Sequence, residues 1–292
     1  MQQTAGLFRL KENDFADAIV RAEFEKGVQL LGVGEHAAAI SHLQIAANQG
    51  CAPAIHSLGI IYERGMGVAR DIQLACQLYS EASDLGFVLS QFGLARIYQT
   101  GALGTVDLQK AKALYKKAAA KDFSCAQNNL AVILHDEGDV AGAVRLLRKA
   151  VKQGYPEAQM NLATRYLNGV GVKADKKKGV SLIEQAAQQG FPRAQYCLGF
   201  FHLTGSLLPQ DTAQAIHYFV QAYEGGCTLA ACAMYLLYVE GRVVRRNWDK
   251  AFYWYSKARV GLPVLSRPKS DTEPEMPIMM NWSMLWKRIV LV

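Results

Sequence analysis

Residues 58–86 read LGIIYERGMGVARDIQLACQLYSEASDLG. The order Leu-Gly, Tyr, two close glycines, Asp, Ala, Tyr, Ala, Gly returns further along the chain. Self-similarity at a period of about 20–50 residues decides an architecture before any local assignment does. Aligned on the residues that close each unit, Gly50, Gly86, Asp122, Gly154, Gly190 and Gly226, the separations are 36, 36, 32, 36 and 36 residues. Counting from each closing residue, the fourth position is Ala54, Ser90, Ala126, Ala158, Ala194 and Ala230, and the eighth is Leu58, Leu94, Leu130, Leu162, Leu198 and Met234. The ninth is small in five units (Gly59, Ala95, Ala131, Ala163, Gly199) and Tyr235 in the last. The twelfth is Tyr62, Tyr98, Leu134, Tyr166, His202 and Tyr238. Positions 4, 8, 9 and 12 fall on one stripe of a helix with 3.6 residues per turn, which predicts a first helix A in each unit.

Helix A is expected to stop at Gly65, Gly101, Gly169, Gly205 or Gly241, where glycine admits a positive φ. Six residues later stand Asp71, Asp107, Asp175, Asp211 and Asn247, side chains that accept hydrogen bonds from the open N–H groups of a following helix. That helix B carries Ala75, Ala111, Ala215 and Ala251, then Tyr79, Tyr115, Phe219 and Tyr255, then Ala82, Ala118, Ala222 and Ala258; residues 155–190 use Gly179, Ile183 and Ala186 in those places. Two units are short: residues 123–154 lose four residues from the inter-helix loop, and residues 24–50 have the same form. Seven units result.

Composition agrees with a folded, mildly basic chain. Of 292 residues, 51% are hydrophobic and 20% charged, with a net charge of +7, which excludes the compositional signature of disorder. Lys11, Glu12, Asp14 and Asp17 interrupt the N-terminal stretch where a secretory signal needs an apolar run, and no apolar run reaches the ~18 residues of a membrane span. A cytoplasmic location is expected. The six cysteines share no recurring spacing and form no C-x-x-C pair, so they read as small packing residues in a reducing compartment.

The pattern A-x-x-x-L-G-x-x-Y-x-x-G-x-G-V-x-x-D-x-x-x-A-x-x-x-Y-x-x-A-x-x-x-G, nearly complete in residues 51–86 and 155–190, resembles the Sel1-like repeat. The two short units are similar to its relative, the tetratricopeptide repeat. The resemblance implies an all-α fold, a right-handed α-solenoid of helix-turn-helix units in which each touches only its neighbours. The expected organisation is a lead-in over 1–22, repeats over 23–262, a Pro-rich linker over 263–278 with Pro263, Pro268, Pro274 and Pro277, and a terminal amphipathic helix or cap over 279–292. That last segment, with Trp282, Leu285, Trp286, Ile289 and Val290, either caps the final repeat or meets a partner or membrane surface.

Motifs for nucleotide binding, hydrolase nucleophiles and zinc are missing. The histidines are scattered without an i, i+4 pair. No catalytic residue, cofactor or metal is expected. Two basic clusters, Lys173 with Lys176–Lys178 and Arg242 with Arg245 and Arg246, read as solvated loop edges, so nucleic acid is not an expected partner.

By resemblance to helical-hairpin repeats, a concave face is lined by helix A positions 6, 10, 13 and 14. From these the expected partner-binding residues are His56, Arg64, Phe92, Arg96, Gln99, Asn128, His135, Thr164, Asn168, Tyr196 and Phe200. They vary in kind while the stripe does not. The expected function is a non-enzymatic scaffold or adaptor for a protein or peptide. The alternatives are a regulator or immunity-type inhibitor of a partner enzyme or toxin and, behind that, a nucleic-acid binder or an enzyme with a concealed site.

Overall fold

A computed structural model describes residues 18–241 and 243–259. The expected linker and terminal segment, most of the lead-in, and Arg242 lie outside the described residues. Among the described residues there are fourteen α-helices and no strand, an all-α repeat fold. The chain divides into two compact units, residues 1–139 and 140–292. The first holds α1 (Ala18–Gly32), α2 (His36–Asn48), α3 (Ala52–Arg64), α4 (Ile72–Asp84), α5 (Val88–Thr100), α6 (Leu108–Ala120) and α7 (Ser124–Asp136). The second holds α8 (Val140–Lys152), α9 (Pro156–Asn168), α10 (Lys176–Gln188), α11 (Pro192–Thr204), α12 (Thr212–Glu224), α13 (Thr228–Glu240) and α14 (Trp248–Arg259). Odd-numbered helices are the A helices and even-numbered ones the B helices of repeats one to seven.

Within each unit, A packs on its own B, and B on the A of the next repeat: α2 on α3, α4 on α5 and α6 on α7 in the first, α8 on α9, α10 on α11 and α12 on α13 in the second. The alanine columns of helix B, among them Ala75, Ala82, Ala111, Ala118, Ala215 and Ala222, are fully buried. Between them the large side chains Tyr79, Tyr115 and Phe219 are buried just as deeply. A ring on B meets a small residue on A: a Cβ on Gly59 would lie 2.6 Å from Tyr79 Cε1, and one on Gly199 2.7 Å from Phe219 Cδ1. Repeat seven departs from this rule at Tyr235. Its ring lies 5.7 Å from that of Tyr255, tilted by 51°, so a ring pair takes the place of ring on glycine.

Turn chemistry fixes the hairpins. Gly65 caps α3 at φ 69°, a conformation glycine enters without steric cost. The expected N-caps form: Asp71, Asp107, Asp175, Asp211 and Asn247 each accept a hydrogen bond from the backbone N–H three residues on, at 2.9–3.0 Å. These bonds, foremost that from the Lys110 N–H, hold the Asp107 carboxyl below its ordinary pKa. Each cap residue also donates its own N–H to the carbonyl of position 12: Tyr62, Tyr98, Tyr166, His202 or Tyr238. Because only the backbone of position 12 is needed for that bond, histidine substitutes for tyrosine in repeat six and stacks on Tyr218 instead. Asp122 takes the closing turn at φ 58°, a left-handed conformation open to Asp and Asn.

The second glycine of the Gly-x-Gly loops has another purpose. At Gly171, with φ 71°, a Cβ would lie 2.4 Å from Val140 Cγ1 on the preceding helix B. Gly171→Ala therefore combines left-handed backbone strain with overpacking. It is expected to lower stability by about 1–3 kcal/mol, seen as a lower denaturant midpoint with an unchanged m-value.

Candidate partner-binding site

In the first unit, the side chains at position 13 of helix A are tied to the rings of helix B. The Tyr79 hydroxyl donates to Glu63 Oε2 at 2.7 Å, and the Tyr115 hydroxyl donates to Gln99 Oε1 at 2.7 Å while accepting from Asn129 at 3.1 Å. Burial, then the Glu63 charge, pushes the Tyr79 hydroxyl pKa up, so it stays a donor. Arg96 donates to the other Glu63 oxygen. Its side chain is 49% exposed, and a pair so open to water adds at most about 1 kcal/mol of stability. Arg64 and Arg96 both stand exposed on the same pair of successive A helices, and position 14 also exposes Thr100, Asp136 and Asn168. These are the groups the repeat leaves open.

Five of the expected binding residues occupy other places. His56 lies under two rings, with centroids 5.2 Å from both Tyr79 and Phe87, and its Nδ1 is 2.8 Å from Ser90 Oγ. Burial lowers its pKa to about 4, so it is neutral near pH 7. Phe92 is half-buried between Tyr115 and Phe123. Tyr196 is 1% exposed and packs on Phe219. Asn128 is buried, and so is Phe200. The cause for His56, Phe92 and Tyr196 is shared: position 6 of helix A lies over the helix B ring of its own repeat, which makes it a packing column. Of the others, Gln99, His135 and Thr164 are half-buried, Gln99 already serving Tyr115 and Thr164 donating its hydroxyl to the Met160 carbonyl at 3.1 Å. Arg64, Arg96 and Asn168 are exposed.

In the second unit the repeat opens into a cavity of about 280 Å³ between α9, α10 and α11. Met160, Leu167, Ile183, Cys197, Phe201 and Leu207 make its apolar walls, and Thr164, Asn168, Lys176 and Ser206 its polar ones. Burial pushes the Cys197 thiol up to about 12, so it is an inert wall group. Among the described residues no group of three or more His, Cys, Asp and Glu side chains could hold a metal ion, and no helix is long and apolar enough to cross a membrane.

A second feature escaped the sequence reading. Arg145, Arg148, Lys149 and Lys152 are all exposed on α8 and line a shallow groove with Ala141, Val144 and Gly171. Their i, i+3, i+4, i+7 spacing puts them on one helix face. The same spacing stands in the sequence. Lys176, Lys177 and Lys178, expected in a loop, instead open α10 behind the Asp175 cap, and Lys178 pairs with Asp175 and lies over the Tyr166 ring.

Comparison with known proteins follows the same register. The family model described as Sel1 repeat matches residues 25–51, 52–87, 88–123, 126–155, 156–191, 192–227 and 229–259. No curated protein matches at the sequence level. Among solved structures, a Sel1 repeat protein from Oxalobacter formigenes is similar with a TM-score of 0.72 at 24% identity, over 86% of this chain and 99% of that one. A protective antigen of uropathogenic Escherichia coli strains displaying an SLR fold is similar with a TM-score of 0.62 at 26% identity, over 82% of this chain and 54% of that one. An immunity protein from Pseudomonas aeruginosa follows with a TM-score of 0.52 at 24% identity, over 71% of this chain and 80% of that one. At 24% identity the likeness is one of fold. Seven matched repeats, each carried by a helix pair with its caps and small-residue stripe in register, establish that this chain belongs to the Sel1 repeat family.

Proposed function

We propose that the chain is a non-enzymatic scaffold that binds a protein or peptide through the open positions of its A helices. One observation carries this reading: positions 10 and 14 are exposed at Arg64, Arg96, Val132, Asp136 and Asn168, where residue type changes from repeat to repeat while the packing stripe beneath repeats. A rigid repeated frame with a varied open row is the arrangement of a recognition surface. Arginine is enriched among the residues that anchor protein interfaces, and Arg96 is held in place by Glu63.

The test is affinity capture from extracts of the source organism with the full chain as bait, set against Arg64→Glu with Arg96→Glu and, separately, Asn168→Ala with Lys176→Glu. Circular dichroism and melting verify that each variant is folded. A stoichiometric partner whose affinity falls at least about tenfold, or about 1.4 kcal/mol, in one variant is the expected result. Recovery of no specific partner, or of one held equally by every variant, overturns the proposal.

A further inference from the structure

Six of the B helices place a large side chain at the position four after the first alanine of their stripe: Leu43, Tyr79, Tyr115, Leu147, Phe219 and Tyr255. Tyr79 fills the space between its own A helix and the next. The ring of Tyr79 approaches Gly59 of α3 on one side, and on the other a Cβ on Gly93 of α5 would stand 3.4 Å from it. Repeat five has Ile183 at this position. The residue corresponding to Gly93 is Cys197, the one corresponding to Ile97 is Phe201, and both line the cavity. The cavity thus lies at the place that the Tyr79 ring fills in repeat two.

The neighbours of the cavity differ as well. Position 13 is Glu63 opposite Tyr79 and Gln99 opposite Tyr115, each accepting the ring hydroxyl, and is Leu203 in the repeat of Phe219 and Val239 in that of Tyr255. In repeat five it is Leu167, which folds against Gly179: a Cβ there would lie 2.7 Å from Leu167 Cδ2. Position 13 therefore carries no acceptor here that a ring hydroxyl would have to meet. Polar groups instead gather at the rim. Lys176 is exposed and is the one charged residue lining the cavity, and Lys173, Lys177 and Lys178 stand exposed beside it in sequence. Thr204 Oγ1 donates to the Phe200 carbonyl at 2.8 Å, so in its 2.9 Å contact with Ser206 Oγ it is Ser206 that donates. The site therefore favours an apolar body next to a negative charge.

We propose that this cavity is an anchor pocket for a partner peptide, taking one large apolar side chain while Lys176 receives an adjacent carboxylate. This rests on the scaffold reading and names the partner chemistry of one of its sites. At about 280 Å³ the space lies just below the range of pockets for whole drug-sized ligands, which suits a single side chain. The cationic rim selects an acidic segment by charge complementarity.

The test uses the repeat's own solution as the blocking variant. Ile183→Phe restores the ring that Phe219 supplies in repeat six, opposite a leucine as there, and is expected to fold with unchanged or higher melting temperature. A random peptide library displayed on phage is selected on the full wild-type chain, and selected peptides are measured by fluorescence polarisation. Selected peptides should share a Phe, Leu, Ile, Met or Trp beside Asp or Glu. Binding should weaken at least about tenfold in Ile183→Phe and on changing the apolar peptide residue to alanine, and several-fold in Lys176→Glu. Hydrocinnamate titrated alone distinguishes a small carboxylate site: saturable binding as tight as the peptides' would show that the peptide chain is irrelevant and overturn the assignment. Peptides bound equally by wild type and Ile183→Phe, peptides without the acidic and apolar pair, or the failure of selection also overturn it. If Ile183→Phe leaves peptide binding intact while Arg64→Glu with Arg96→Glu abolishes capture of the partner, the pocket is excluded and the scaffold stands.

Discussion

Replacing Tyr79 by alanine should lower stability by about 3–5 kcal/mol, the range for deleting a fully buried aromatic side chain. The ring is 1% exposed, packed with Leu94 and Ile97 and flanked by Ile60, Ile72 and Leu114, so it joins three helices at once. Its loss would also uncover His56, whose ring leans on it. Tyr79→Phe divides this cost into parts: it keeps the ring and removes the hydrogen bond to Glu63, which Arg96 still holds. It should cost only about 0.5–1.5 kcal/mol. Because a repeat protein is stabilised through nearest-neighbour interfaces, the effect should be local. Hydrogen exchange of Tyr79→Ala is expected to show lost protection in α3 to α5 while α11 to α14 keep theirs. Equal loss along the whole chain, or a cost below about 1 kcal/mol, would count against the ring as the joint between repeats.

Acid should destabilise the first unit through His56. Its folded pKa is about 4 against an ordinary 6.5, so between those values the unfolded chain binds the proton and the folded one resists it. Stability is then fully present above about pH 6.5 and lost as pH falls toward 4, by up to about 3 kcal/mol. Carboxylates such as Asp107 and Asp175, held low by their caps, add their own loss at still lower pH. The measurement is therefore a difference: unfolding free energy against pH for wild type and for His56→Gln, whose amide can still meet Ser90. The two curves should diverge between pH 7 and 4, with the variant flatter. Parallel curves would show that the imidazole is solvated enough to protonate in place.

The repeat period, the helix pairs, the caps at Asp71, Asp107, Asp175, Asp211 and Asn247 and the chain reversals at glycine were legible from residues alone. Each is a local property: the stripe follows from 3.6 residues per turn, the cap from a side chain three residues before the N–H it accepts, and the turn from a φ that glycine adopts freely. The open row of helix A was legible only in part. Position 14 came out open as expected at Arg64 and Asn168, because a residue at the end of helix A extends past the helix it packs on. Position 6 did not, since His56, Phe92 and Tyr196 lie over rings contributed by residues 23 positions further on, and no periodicity within one helix reports which face the next helix will cover.

The pocket marks the same division. The sequence alone determined that Ile183 stands where four of the other repeats have a ring and that Gly179 stands where all six have alanine. Whether the neighbours close over the missing ring or leave it vacant was decided only in the tertiary structure, by where Leu167, Met160 and Phe201 come to rest. Packing energies depend on volumes summed over three helices distant in sequence, and a side chain folded toward Gly179 cannot at the same time fill the space beside Cys197.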